Sequence, residues 1–238
     1  MYKAEINTIL EHLDYAYQPI RDMKSGTVVG YEALIRGSDT YKNLTPNEIF
    51  DEAYKMNYLY ALDIKLREKA IDTIKDKLIS TDLKLFYNYD ARTLEWDCFT
   101  KDLTENILKK YGIHNNNFCY DLNNNQKSMV SSLFYFLIGN RNKGLNVSIS
   151  NSMIDIFDEK IKLNIKPDYI RINKNIVCMA KNNTEYRKNL ESIITFASSK
   201  NLKTIAVLIE NDNEYKMCSE LNIDLIQGYY TGKPSFDF

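Results

Sequence analysis

The stretch YQPIRDMKSGTVVGYEALIRG, residues 17–37, decides how the chain folds. It spans two apolar, β-branched and aromatic runs, DYAYQPI (14–20) and TVVGYEALIR (27–36), joined only by RDMKSG. That link is too short for a helical crossover, so the two runs predict an antiparallel hairpin. The second run carries Glu32 and ends on Arg36, which puts a carboxylate and a guanidinium close to a strand's end.

Outward from the hairpin, six more strand-like runs follow: LKLFYNY (83–89), NFCYDLN (117–123), NVSIS (146–150), YIRIN (169–173), KTIAVLI (203–209) and LIQGYY (225–230). Helical patterns separate them. Leu59, Leu62, Leu66, Ala70, Ile74 and Leu78 recur at three- and four-residue spacing, one face of a long helix. TPNEIFDEAYKMN (45–57) opens with Thr, then Pro, then Glu three residues after the Thr, which is capping-box chemistry. Residues 184–200 give another amphipathic helix, with Tyr186, Leu190, Ile193, Ile194 and Ala197 inward.

Strands that alternate with helices pair in parallel. The fold expected is therefore α/β: a modified (β/α)8 TIM-like barrel with one antiparallel strand. A doubly wound sheet is the alternative, but no Gly-rich first turn marks a dinucleotide fold. One domain over residues 1–238 is expected, because barrels of this length form a single unit.

Composition narrows the function classes. The chain is 44% hydrophobic with a formal net charge of −1, so no global field for nucleic acid or membrane is present. Cys98, Cys119, Cys178 and Cys218 are far apart and form no CxxC pair, which argues against a disulfide or zinc framework. The longest aromatic-apolar run, 133–138, is too short to cross a bilayer. A soluble, cytoplasmic protein with no DNA or membrane partner is expected. With only His12 and His114 in the chain, neither in a strand-end context, catalysis would have to run on carboxylates, Asn, and Lys or Arg.

In barrels the functional groups gather where strands end. The candidates there are Glu32, Arg36, Asn88, Asp90, Asp121, Asn123, Asn124, Ser150, Asn151, Arg171, Asn173, Glu210 and Gln227. Any single Asn, Asp or Ser among them serves equally well as a helix cap or turn residue. Two arginines and a Glu within a strand do not fit that use.

YQPI (17–20), GYEALIR (30–36), the Asn of LFYNYDARTL (85–94), KPDYIRIN (166–173) and QGYYTGKP (227–234) resemble the EAL-domain family. The likeness runs the whole chain in order. It implies a modified (β/α)8 barrel and, for active members, metal-assisted hydrolysis of cyclic di-GMP. Two Mg²⁺ or Mn²⁺ ions would clamp the phosphate and activate water, held by a dense set of oxygen ligands.

Carried over by position, that ligand set changes. Glu32 and Asn88 match; the ExxE pattern falls on Asp121 and Asn124; the Asp-Asp pair becomes Ser150 and Asn151. Lys-Ile-Asp becomes Arg171-Ile172-Asn173, the first Glu of AEGVE is Val207, and Glu210 matches the last. The resemblance implies about five carboxylates for two ions, against Glu32 and Asp121 here. A guanidinium at position 171 does not deprotonate and cannot act as a base. No resident cofactor is therefore expected, beyond one weakly bound Mg²⁺ or Mn²⁺ at Glu32, Asn88 and Asp121.

The nucleotide-holding positions are better kept. The resemblance implies ligand contacts from Gln18, Pro19, Glu32, Leu34, Arg36, Asn88, Glu210, Gln227, Gly228, Tyr229 and Pro234, with Arg36 forking onto a phosphate and Gln227 on a guanine edge. Three readings follow. The first is a non-catalytic cyclic di-GMP-binding receptor that signals to a protein partner. The second is an EAL-fold interaction protein that has lost the nucleotide, using Met153, Ile154, Ile156 and Phe157 as an apolar face. The third is a weakly active metal-dependent phosphodiesterase. A homodimer is an open arrangement in each.

Overall fold

The computed structural model describes residues 3–95, 103–122, 130–153, 167–180 and 182–237, with side chains of 130–134 excepted. The apolar face expected at 150–160 lies outside the described residues except for Met153, which is buried. The candidates Asn123 and Asn124 and the thiol of Cys98 lie outside them as well.

Eight strands close into one barrel in sequence order. Strand β1 (Asp14–Asp22) turns back into β2 (Val28–Arg36), followed by β3 (Lys84–Asn88), β4 (Phe118–Leu122), β5 (Asn146–Ser150), β6 (Tyr169–Ile172), β7 (Lys203–Ala206) and β8 (Leu225–Ile226). β1 runs antiparallel to both β2 and β8, and every other neighbouring pair is parallel. The hairpin and the one reversed strand expected from residues 14–36 are thus present.

Around the barrel lie α1 (Lys3–His12), α2 (Pro46–Lys55), α3 (Leu59–Ser80), α4 (Leu103–Tyr111), α5 (Val130–Asn142), α6 (Lys174–Ala180), α7 (Thr184–Ser199) and α8 (Asp212–Glu220). Helix α2 starts where its chemistry says it should: Thr45 Oγ1 accepts from the Glu48 amide, and the Glu48 carboxylate accepts from the Thr45 amide at 2.8 Å. Among the described residues no helix is long and apolar enough to cross a membrane.

Side chains alternate across each strand, and the alternation sorts the residues into two populations. The outward set packs with the helices in the main core, where Leu66, Ala70 and Ile74 of α3 meet Tyr17, Leu85 and Tyr87. The inward set fills the barrel in layers. Ile20, Phe86, Cys119, Tyr169, Ile205 and Leu225 make an apolar plug. One inward step along the strands the residues become polar: Gln18 pairs in register with Glu32, Asn88 with Asp121, and Ser150 with Arg171.

A second buried ionic group sits outside the barrel wall. Asp63 and Arg67, one turn apart on α3, form a salt bridge at 0% and 4% exposure. Arg67 also donates to Thr104 Oγ1 at 2.6 Å and Tyr120 Oη at 3.2 Å, while Tyr87 Oη donates to Asp63 at 3.1 Å. Its guanidinium lies 5.2–5.6 Å from the rings of Tyr87, Tyr89 and Tyr120. Asp63→Ala is expected to cost about 3–5 kcal/mol, because it leaves a buried cation unpaired, whereas Asp63→Leu with Arg67→Met costs less than either single change. Urea denaturation of the three variants checks this; a double variant whose loss is the sum of the singles would contradict it.

Candidate functional site

The polar layer of the barrel is organised by one side chain. Arg171, at the middle of β6 and 5% exposed, reaches across the barrel axis. Its Nη1 donates to Asp121 on β4, and its Nη2 donates to Glu32 on β2 at 2.7 Å and to Gln227 just past β8. Gln227 turns its amide nitrogen to Glu32 at 2.6 Å and to Gln18 on β1 at 3.1 Å. Asn88 at the end of β3 completes the ring by donating to the other Glu32 oxygen at 2.7 Å. Gln18 ties the layer to the last loop through the Gly232 carbonyl at 3.0 Å.

The electrostatics follow from burial and this one cation. Burial works to raise the Glu32 carboxyl, but the Arg171 charge and the hydrogen bonds from Asn88, Gln227 and Arg171 hold it below its ordinary value. Asp121 goes the other way: burial raises it by more than the Arg171 charge lowers it, and the neighbouring Glu32 charge adds to the rise. Arg171 stays firmly protonated, since its two carboxylates outweigh its own burial.

Above this layer opens a cavity of about 650 Å³ lined by Gln18, Glu32, Leu34, Ser150, Asn151, Ser152, Arg171, Asn173, Ile176, Val207, Leu208 and Gln227. Neutral amides and hydroxyls make up half of its wall, with Leu34, Ile176, Val207 and Leu208 as its apolar part. Ser150 and Ser152 hydroxyls meet at 2.7 Å, and Asn151 accepts from the Asn173 amide at 3.1 Å. A second cleft, also about 650 Å³, lies beside it and includes Asn88 and Asp121.

An EAL domain model matches residues 5–234. The chain belongs to the EAL domain family. It is 22% identical over 242 residues to the probable cyclic di-GMP phosphodiesterase PdeN of Escherichia coli K12, a match covering 97% of this chain and 45% of that protein. A second relative from the same organism, the probable cyclic di-GMP phosphodiesterase PdeI, is 22% identical over 224 residues, covering 92% of this chain and 28% of its own. The chain thus spans less than half the length of these curated relatives.

Among solved structures, the PaMucR phosphodiesterase in complex with cyclic di-GMP superposes with a TM-score of 0.82 at 16% identity, covering 98% of this chain and 96% of that one. A standalone EAL protein from Vibrio cholerae O395 in its cyclic di-GMP-bound form gives 0.77 at 19% identity, covering 94% and 92%. Both share the barrel.

Among the described residues, the groups of the polar layer do not fit a pair of divalent ions. Such ions need several anionic oxygens turned to a common centre, and here the Arg171 guanidinium lies between the two carboxylates that remain. Both Glu32 oxygens are already accepting, one from Asn88 and the other from Arg171 and Gln227. Among the described residues no group of three His, Cys, Asp or Glu side chains could hold a metal. A single ion at Glu32, Asn88 and Asp121 would share both carboxylates with Arg171, which bonds one oxygen of each.

The expected ligand contacts divide in two. Gln18, Glu32, Leu34 and Gln227 line the main cavity, with Ser150, Asn151, Arg171 and Val207; Asn88 lines the neighbouring cleft. Pro19, Arg36, Glu210, Gly228, Tyr229 and Pro234 line neither. Arg36 bonds the Ile35 carbonyl at 2.8 Å, and Glu210 pairs with Lys174 at 2.5 Å. Gly228 is pressed on the Ile209 backbone, where a Cβ would come within 1.9 Å of a carbonyl oxygen. Gln227, expected on a guanine edge, has its amide engaged at both ends by the cluster.

Arg171→Ala leaves two buried carboxylates without a cation and is expected to cost about 3–5 kcal/mol at neutral pH. Both carboxyls would then have folded pKa values above their unfolded ones. The penalty is absent below the unfolded value and grows as pH rises through the folded value, so the deficit should shrink toward about pH 4. Urea denaturation at several pH values measures this; a deficit that widens on acidification would contradict it.

Proposed function

We propose that this EAL domain is a catalytically silent receptor for cyclic di-GMP, which it holds without a metal ion and without cleaving. The observation that carries the reading is the Arg171 guanidinium shared by Glu32 and Asp121. It is a cation built into the chain at the level where the family's chemistry calls for bound ions.

Hydrolysis needs an activated water, an electrophilic clamp on the phosphate, and a group to take a proton. A guanidinium supplies no water and accepts no proton. It does neutralise charge. Two carboxylates and one arginine leave the polar layer at −1, and at about 4 Å each unpaired carboxylate would repel a phosphate by roughly 4 kcal/mol at an effective dielectric near 20. With Arg171 between them, a dianionic ligand can approach a cavity walled by Ser150, Asn151, Ser152 and Asn173. Their hydroxyls and amides donate hydrogen bonds without adding negative charge. Support for the ligand's identity comes from the family and from relatives crystallised with cyclic di-GMP.

A receptor of this kind works by presenting a changed surface to a protein partner. The main cavity opens beside Leu208, an apolar side chain 54% exposed, so a ligand filling it would alter what a partner meets there.

Titration calorimetry with cyclic di-GMP in EDTA should give saturable binding that added Mg²⁺ or Mn²⁺ does not tighten, and the nucleotide should be recovered intact afterwards. Linear product accompanying metal addition, lost in Glu32→Ala, would replace this reading with that of a phosphodiesterase. No heat under any condition would leave the interaction-protein reading.

A further inference from the structure

A cavity of about 420 Å³ lies on the flank of the barrel, outside its wall, where α3, α4 and α5 come together over β4. Its volume falls in the range of small-molecule sites. Three of the rings that line it are already arranged. Tyr89 and Phe136 stack at 5.0 Å with their planes 14° apart, and Tyr120 meets Phe136 edge-on at 4.9 Å. The wall thus offers both a ring face and a ring edge to a flat molecule.

Two further observations point to an occupant. Arg67, which also lines the cavity, spends Nη1 on Thr104 and Tyr120 and Nη2 on Asp63. Its Nε–H is buried and bonds to nothing among the described residues, although buried donors are ordinarily satisfied. A small turn of the side chain about its salt bridge would present that donor to an oxygen seated in the cavity. The second observation is Gly139, inside α5, where glycine weakens a helix relative to alanine. A Cβ built there would meet no atom within 4 Å, so the space beside it is open. Next to it, Asn140 donates its amide to the Phe136 carbonyl at 2.8 Å, and its Oδ1 has no hydrogen-bond partner among the described residues. Charges around the cavity come in pairs, Arg67 with Asp63 and Lys143 with Glu105 at 3.3 Å. A charged ligand would lose hydration on entering and find each of these charges already balanced.

We infer that this flank cavity binds a neutral, planar heteroaromatic molecule whose ring lies against Tyr89, Tyr120 and Phe136, whose N–H donates to Asn140 Oδ1 and whose carbonyl accepts from Arg67. Arg67 and Asn140 stand on different helices, α3 and α5, so the donor and the acceptor belong at opposite ends of the ring. The inference goes beyond the receptor reading, because neither Arg171 nor the main cavity contributes to the site. It does bear on the same strands. Tyr89 and Tyr120 are chain neighbours of Asn88 and Asp121, and the Tyr89 amide donates to the Asp121 carbonyl at 3.0 Å. A molecule seated on the flank would therefore press on the backbone that carries the polar layer, which is the placement of an effector.

The test uses the full chain with three probes: quinolin-4(1H)-one, quinoline and quinoline-4-carboxylate. Saturation-transfer NMR and calorimetry read their binding to the wild type, Gly139→Leu and Asn140→Ala. The wild type should bind the quinolinone. Quinoline, which lacks the N–H and the carbonyl, and the carboxylate should each bind at least about 10-fold more weakly. Gly139→Leu places a side chain in the open space, so transfer should vanish while the thermal midpoint holds or rises. Asn140→Ala removes one acceptor and should weaken binding about 3- to 10-fold. No transfer to the quinolinone in the wild type, undiminished binding in Gly139→Leu, or equal binding of the three probes overturns the inference. Should Gly139→Leu fail to fold, Asn140→Ala decides alone, and an unchanged affinity there overturns it.

Discussion

A guanidinium buried in a barrel must find acceptors on every side, and the interior of this domain is arranged around that requirement. Arg171 leaves β6 toward the axis and is met by β2 through Glu32, β4 through Asp121 and the end of β8 through Gln227. Each partner is itself held from another direction: Glu32 by Asn88 from β3, Gln227 by Gln18 from β1. Burial of an ion with so few charges around it is tolerable only when the geometry is this complete. The same bonds crosslink strands distant in the chain, which makes the polar layer a structural member as well as the floor of the cavity.

The reversed strand is what lets the ring close. Because β1 runs against its neighbours, Gln18 comes into register with Glu32 from the opposite chain direction. Beyond β8 the chain pairs once more with β1, Tyr17 against Ser235, so the final loop is pulled back over the barrel end. That return needs close approach. Gly228 lies on the Ile209 backbone, and Gly232 sits where a Cβ would meet the Pro19 ring at 2.5 Å. Residues of YQPI and QGYYTGKP that the family resemblance associates with ligand are thus used here, in part, to hold the barrel mouth together.

Much of this could be read in the amino acids before any coordinates. Short apolar, β-branched and aromatic runs located all eight strands, the short link at 21–26 identified the hairpin, and Thr45, Pro46 and Glu48 marked a helix start to the residue. These are local signals, each resolved within a few residues. What could not be read was partnership. Arg171 stood out only as a residue unable to act as a base; that it would bind both remaining carboxylates depends on three strands converging at one level. Asp63 and Arg67 had a visible sign, since they fall on the face between Leu59 and Ala70, but a pattern scored by apolar residues passes over buried charge. Arg36 and Glu210 matched motif positions, yet their side chains take nearer partners at Ile35 and Lys174. Leu208 carries a left-handed backbone, φ 62°, at the position of the Gly in AEGVE, so an apolar side chain lines the cavity at a place where the resembled motif has none.

The difference between lysine and arginine on β6 accounts for more of this site than any other single substitution. A lysine ammonium is a point charge on a flexible stem; it can approach one acceptor closely, and it can give up its proton when burial lowers its pKa. It leaves room beside it for ions and water. A guanidinium is a flat fork with donors on two edges, able to hold Glu32, Asp121 and Gln227 at once, and it keeps its charge. Placing it at position 171 therefore closes the centre by filling it, and it does so with the right sign to offset the carboxylates left behind. With neutral side chains at Ser150, Asn151 and Val207, the layer sets two carboxylates against this one fixed cation. One fixed positive charge and two negative ones form a stable set, whereas the same arginine amid five carboxylates, or two carboxylates amid two divalent ions, would not.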